Sequence, residues 1–272
     1  MVWTAYKVSF ELLSPLHMGW RKLGNLQQTR PYLTGRNLWG ALTARLTREQ
    51  GSDKYSEVGE EVCKSLVFSY FYPSTEPEKV GLWPWVDSDE FSWGFLSSYA
   101  STALKDGHSK EDGSLHETEF IAPRTRSAEP VYLVGYIFEK VGCSLEWNSA
   151  LTKLQCGGER NYGWGRLRLY GENPLELVTD AKIFEDYSLN CEGDWPLVTI
   201  SENSKYLLAH TKAESNNSVE SGTLEPLVGL ETTPSGKFGQ TVSTAEICWT
   251  PGSTAKAGAT FSIKEKGLWY PV

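Results

Sequence analysis

Residues Thr4–Leu13 alternate, with Tyr6, Val8, Phe10 and Leu12 on one side and Lys7, Ser9 and Glu11 on the other. A period of two over this length predicts a half-buried strand. Ser14-Pro15 ends it, and Leu16–Asn25 follows as a loop with Gly19, Gly24 and the adjacent cations Arg21 and Lys22. Past Tyr32–Asn37, the spacing of Leu38, Ala41, Leu42 and Leu46 predicts a helix with one buried stripe. Arg45 and Arg48 fall off that stripe. A solvated helix face accounts for both, and best for Arg48. The helix start beside Arg36 and Asn37 offers backbone N–H groups to an anion. Between 50 and 115 no single period holds. Val62–Tyr72 is apolar and aromatic, Ser74–Lys79 and Lys105–Ser114 read as loops, and Trp83, Trp85 and Trp93 fall near Pro84 and Phe91 as a packed insertion or partner surface. After His116–Pro123, the basic hairpin Arg124–Ala128 feeds a strong strand, Val131–Phe138. Asn148–Gln155 predicts two helical turns with Asn148 or Ser149 as cap.

Strand, helix, elaborated middle, strand, helix, glycine loop, strand is the order of a ferredoxin-like (RRM-like) β-α-β-β-α-β unit whose second strand is left open. The fold class expected is α+β. Residues 1–170 form that unit with an insertion at about 50–115, and 171–272 form a β-rich half. Within the latter, 171–200 is linker-like, Glu214–Gly222 is polar enough to be mobile, and the apolar end Gly267–Val272 is expected to tuck into a sheet.

Composition narrows the chemistry. Five scattered cysteines without a CxxC pair point to a reduced, cytoplasmic protein without structural zinc. Four histidines without paired spacing predict no metal, and no cofactor is expected. No apolar run reaches membrane-spanning length, and Met1–Phe10 lacks a signal-peptide core. The net charge is −8, yet residues 1–50 hold seven Lys/Arg against two Glu, leaving −13 on the other 222. Such asymmetry fits a protein that meets RNA on one face and protein on others. Eleven tryptophans are more than one such core requires, which points the same way.

The stretch Gly157–Arg166 joins four glycines to Arg160, Arg166, Asn161, Tyr162 and Trp164. Gly157, Gly158, Gly163 and Gly165 would let main-chain amides approach a phosphate-sugar chain closely, with guanidinium forks on phosphates and rings on bases. A structural turn is the plain alternative. No Gly-Lys-Ser/Thr ends the loop and a strand follows it, so neither a P-loop nor a Rossmann turn applies.

Four segments resemble the RAMP superfamily of CRISPR proteins. Ser14–Gly19 resembles its leucine-histidine-hydrophobic-glycine loop, and Tyr32–Leu42 its loop-to-helix segment, with Thr34 where proline is common. Arg124–Ala128 resembles its basic hairpin, and Gly157–Arg166 its glycine-rich loop. Trp249–Ser253 and Gly267–Val272 look like the second half of the type III cap subunit, itself a degenerate ferredoxin-like unit. The resemblance implies a non-catalytic, RNA-binding subunit that holds the 5′ handle of the guide RNA, with the large signature subunit and backbone subunits as partners. The RNA-binding residues expected are His17, Arg21, Lys22, Arg30, Arg36, Asn37, Arg45, Arg124 and Arg126, together with Gly157, Gly158 and Arg160–Arg166. A guide-processing endoribonuclease would use His17 as acid or base. A target-cleaving backbone subunit would carry an aspartate before the first helix, where Gly24–Tyr32 has no acid, so a non-catalytic backbone subunit is the stronger alternative.

Overall fold

The computed structural model describes residues 2–105, 109–110, 113–214, 218–232 and 238–272. The alternating N-terminal stretch forms strand β1, Trp3–Leu12. It pairs on one side with Tyr132–Lys140 and on the other with Leu167–Leu169, while Leu66–Phe68 lies beyond Tyr132–Lys140. All three pairings are antiparallel. In chain order the strands therefore stand 4-1-3-2, and the second strand left open by the sequence is Leu66–Phe68. Tyr72–Ser74 continues along the same central strand.

Helix α1 (Gly35–Glu49) starts at Thr34, whose hydroxyl accepts from the Asn37 amide. Leu38, Leu42 and Leu46 of α1 join Val58 and Val62 of α2 (Tyr55–Ser65) over Val8, Phe10 and Leu12 of β1. The other face of β1 departs from expectation. Trp3 and Ala5 are buried with Val67, Tyr136 and Phe138 in a second core, against Ile183, Tyr187, Phe261 and Trp269. Only Lys7 and Glu11 keep the polar role read for them, pairing with Glu176 and Arg168.

The second core is roofed by an eight-stranded sheet. Its order is Lys182–Ile183, Tyr187–Asn190, Leu197–Thr199, Thr260–Ile263, Trp269–Pro271, Thr211–Lys212, Phe238–Trp249, Leu224–Thr232. Residues 171–200 are thus no linker, because Glu176–Leu177 adds to the first sheet and three further strands open the second. The C-terminal segment is tucked in, Trp269 pairing with both Thr211 and Ile263. Trp83 and Trp85 stack 5.3 Å apart beside Tyr72 in this core. Phe91 joins the first core, and Trp93 is 66% exposed, so the five residues grouped by sequence separate. The short helix Trp147–Ala150 starts at Glu146 without a side-chain cap, in place of Asn148 or Ser149. A small sheet completes the fold, in the order Gly19–Leu23 (β2), Leu26–Thr29 (β3), His116–Ile121, Leu96–Ser101. Parts of the polar stretches Lys105–Ser114 and Glu214–Gly222 lie outside the described residues; Val219–Ser221 of the latter is a short strand.

Candidate RNA-binding groove

An open groove of about 1410 Å³ runs between α1 and α2 on one wall and Leu224–Thr232, the edge strand of the large sheet, on the other. Met18–Trp20 and the start of the glycine loop (Gln155, Cys156, Gly157, Arg160) complete its lining.

The edge strand is held across the groove by charge. Arg36 donates to the Leu230 carbonyl at 3.0 Å and the Ser243 hydroxyl at 3.1 Å, with the Glu231 carboxylate 3.5 Å away. Lys266 pairs with the same carboxylate and sits 4.4 Å over the Trp39 ring. Nearer the start of the strand, Arg30 Nη1 lies 2.6 Å from Glu225 Oε1, and Trp20 Nε1 donates to Glu225 Oε2 at 3.0 Å. Fully buried His210 joins this clamp, its Nε2 2.5 Å from Glu225 and its Nδ1 2.7 Å from the Tyr70 hydroxyl. A carboxylate can only accept, so Nε2 carries the proton and Nδ1 accepts from Tyr70. Burial, outweighing the hydrogen bond to Glu225, lowers the His210 pKa and favours this neutral imidazole. Burial alone would raise Glu225, but the His210 hydrogen bond and the Arg30 charge outweigh it and bring its pKa down to about 2.

Sequence proposed Arg30, Arg36 and Asn37 as RNA contacts, and all three line the groove, yet each has an internal partner. Asn37 Oδ1 accepts from Thr34 Oγ1 at 3.0 Å within the helix cap. The expected anion site at the start of α1 is also blocked, since a Cβ on Gly35 would meet the Lys266 carbonyl and Phe68 carbonyl at 2.9 and 3.0 Å. Arg45 is held by Glu49 at 2.6 Å. The groove-lining cations whose side chains make no hydrogen bond or ion pair, among the described residues, are Arg48 and Arg160. Arg48 is the one that sequence assigned to solvent.

The glycine loop is seated on the His17 loop. Gly158 N donates to the His17 carbonyl at 2.9 Å, Gly165 N to the Pro15 carbonyl at 2.7 Å, and Gly163 N to the Arg160 carbonyl at 3.0 Å. Three of the four glycine amides offered to phosphates are therefore engaged inside the chain. Gly157 and Gly165 have φ of +80° and +75°, and a Cβ on either would strike the carbonyl of His17 or Cys156. His17 itself is 7% exposed, its Nδ1 2.6 Å from the Glu119 carbonyl, which makes it a buried anchor of this seat. The outward side chains differ. Arg160, Asn161 and Arg166 are exposed, Tyr162 is 81% exposed, and Trp164 packs edge-on to Phe120 at 5.0 Å.

The remaining cations stand away from the groove lining. Arg21 bonds Gln28 at 2.7 Å and covers Trp20, while the exposed Lys22 side chain has no partner among the described residues. Arg124 donates to the Ala128 carbonyl at 3.0 Å, and Arg126 donates to the Trp93 carbonyl and lies 4.1 Å over that ring. Trp20 and Gln155 are groove residues that sequence reasoning missed. Neither carries a motif, and only long-range packing brings them there.

These features define an α+β chain with an open, mixed-charge groove between a helix-backed antiparallel sheet and the edge of a second sheet. No family model matches the sequence, and no curated protein does. Solved structures share the fold. A chain of the type III-B Cmr-beta complex bound to cognate target RNA and AMPPnP gives a TM-score of 0.52 at 13% identity, over 92% of this chain and 86% of that one. A chain of the same complex bound to cognate target RNA gives 0.52 at 11% identity with the same coverage.

Proposed function

We propose that the chain is a non-catalytic RNA-binding subunit of a type III CRISPR interference complex. In this reading it holds the repeat-derived 5′ handle of the guide RNA and caps the backbone filament beside the large signature subunit. The observation that carries the reading is the groove with unpaired Arg48 and Arg160, on a fold shared with chains of a complex solved with target RNA. Unpaired guanidinium groups in an open channel suit phosphates, and the projecting ring of Tyr162 suits a base or ribose. A non-catalytic role is favoured because His17, the acid or base a processing nuclease would use, is buried against the Glu119 carbonyl.

Binding of a 5′-handle oligonucleotide tests the reading. Arg48→Ala and Arg160→Ala should each weaken it and reduce the salt slope by about 1, and Tyr162→Ala should cost about 1–3 kcal/mol, with melting temperatures retained. Repeat and target RNA incubated with magnesium should stay intact. Equal affinity in all three variants over a range of salt removes the groove assignment. Cleavage lost in His17→Ala would replace the reading with the processing nuclease.

A further inference from the structure

The glycine loop lies between the groove and the small sheet. Arg160 lines the groove, and four residues later Trp164 reaches Phe120 on the strand His116–Ile121. Cross-strand partners lie on one side of a sheet, and residues two apart share a face. Lys22 faces Gln27, Gln27 faces Thr118, and Thr118 faces Tyr99, so these four form one row across the sheet. Phe120 is on the same face, opposite Ser97.

Two properties of this face stand out. Tyr99 is 60% exposed, and its side chain takes part in no ring contact or hydrogen bond among the described residues. Charge is also segregated: Glu117 and Glu119 point to the opposite face, Glu119 accepting from the Thr29 amide at 2.9 Å. The Tyr99 face keeps unpaired Lys22 and no carboxylate in its cross-strand rows, in a chain of net charge −8.

We propose that the Tyr99 face of the small sheet, on which Thr118 is buried between larger neighbours, is a stacking platform for single-stranded RNA that leaves the groove past the glycine loop. Tyr99 would carry a base, beside half-buried Phe120 that packs on Trp164, and Lys22 would meet a phosphate. An exposed ring on a strand face accepts any base, and a lysine in a row without carboxylates attracts the backbone. The path rests on the RNA-binding reading above, but the platform is tested separately from it.

The test uses the full-length chain with labelled 5′-handle RNA, and with the same RNA extended by about eight uridines, within the usual footprint of such surfaces. The extended RNA should bind more tightly than the handle alone. Tyr99→Ala should weaken extended RNA by about five- to a hundredfold while leaving the short RNA and the melting temperature unchanged, and Tyr99→Phe should retain the parent affinity. Lys22→Gln should lower the salt slope for extended RNA by about 1. No gain on extension, or a gain that survives Tyr99→Ala, overturns the platform. Parent RNA binding by a Tyr99→Ala chain that is lost from its native assembly assigns the face to a protein instead, and also overturns it. A chain that ignores the handle but binds oligouridine through Tyr99 upholds the platform and removes the handle reading.

Discussion

A methyl group at position 165 would sit inside the Cys156 carbonyl, and φ there is +75°. At Gly163 φ is +82°, but a Cβ would meet nothing within 4 Å. One motif thus holds glycines needed for two reasons, close approach at 165 and backbone conformation alone at 163. Gly163→Ala should cost about 1–2 kcal/mol, the strain of an L-residue in that region. Gly165→Ala should cost several times as much, because the strand pairing between Gln155 and Arg166 must open. Denaturation midpoints of the two variants check this, and equal losses would contradict it. In sequence the two glycines merely flank Trp164, so their different roles were not legible there.

At the scale of elements, the edge strand Leu224–Thr232 is fixed to the loop before α1 by Arg30, Glu225 and His210. Both titrating groups make this clamp weaken in acid. His210 has a folded pKa below its ordinary 6.5, so the unfolded chain takes up a proton that the fold refuses, and stability falls as pH drops below about 6.5. Glu225, at about 2 against an ordinary 4.5, adds stability that is present above the carboxylate range and lost as pH falls from 4.5 towards 2. Glu225→Gln should cost about 1–2 kcal/mol at neutral pH, less than a fully buried pair, because the side chain keeps 15% exposure and solvent screens it. His210→Gln should flatten the fall between pH 7 and 5. Thermal melts across pH read both effects, and a profile unchanged by His210→Gln would sink the protonation argument. The clamp also revises the meaning of the N-terminal charge excess. Arg30, Arg36, Arg45 and Lys7 answer carboxylates of the same chain, leaving Arg48, Lys22 and Arg21 without an ion pair among the described residues.

For the whole molecule, the first sheet is covered by helices on one face and by the C-terminal half on the other. A fragment of residues 1–170 would bare Trp3, Val67, Tyr136 and Phe138 together, a larger apolar patch than a soluble domain carries. It should aggregate or bind a hydrophobic dye, while the full chain melts in one transition. A fragment that melts cooperatively, without dye binding, would show that the first unit stands alone. Tryptophan is redistributed in the same way. Trp3 and Trp269 lie in the second core with Trp83, Trp85, Trp195 and Trp249 packed against it, while Trp20 and Trp93 are the exposed ones among the described residues, at 41% and 66%, so most of the surplus belongs to the second core and not to partner surfaces.

What the sequence determined by itself is local and periodic. β1 follows from a spacing of two, the central strand from a long apolar run rich in β-branched and aromatic residues, and α1 from the stripe of Leu38, Leu42 and Leu46, because each signal is set by neighbours a few residues apart. The strand Leu66–Phe68 was illegible, since three residues are too short a run to set apart from the apolar stretch Val62–Tyr72 around them. The groove depended on still longer reach. Arg30 meets Glu225 across 195 residues and Arg36 meets Glu231 across another 195, so whether an arginine is free for RNA is decided by a strand near the far end of the chain. Charge and ring type are written at each position. Which of them stay unpaired, as at Arg48, Arg160, Lys22 and Tyr99, only the tertiary structure decided, because pairing is a property of distance and not of order along the chain.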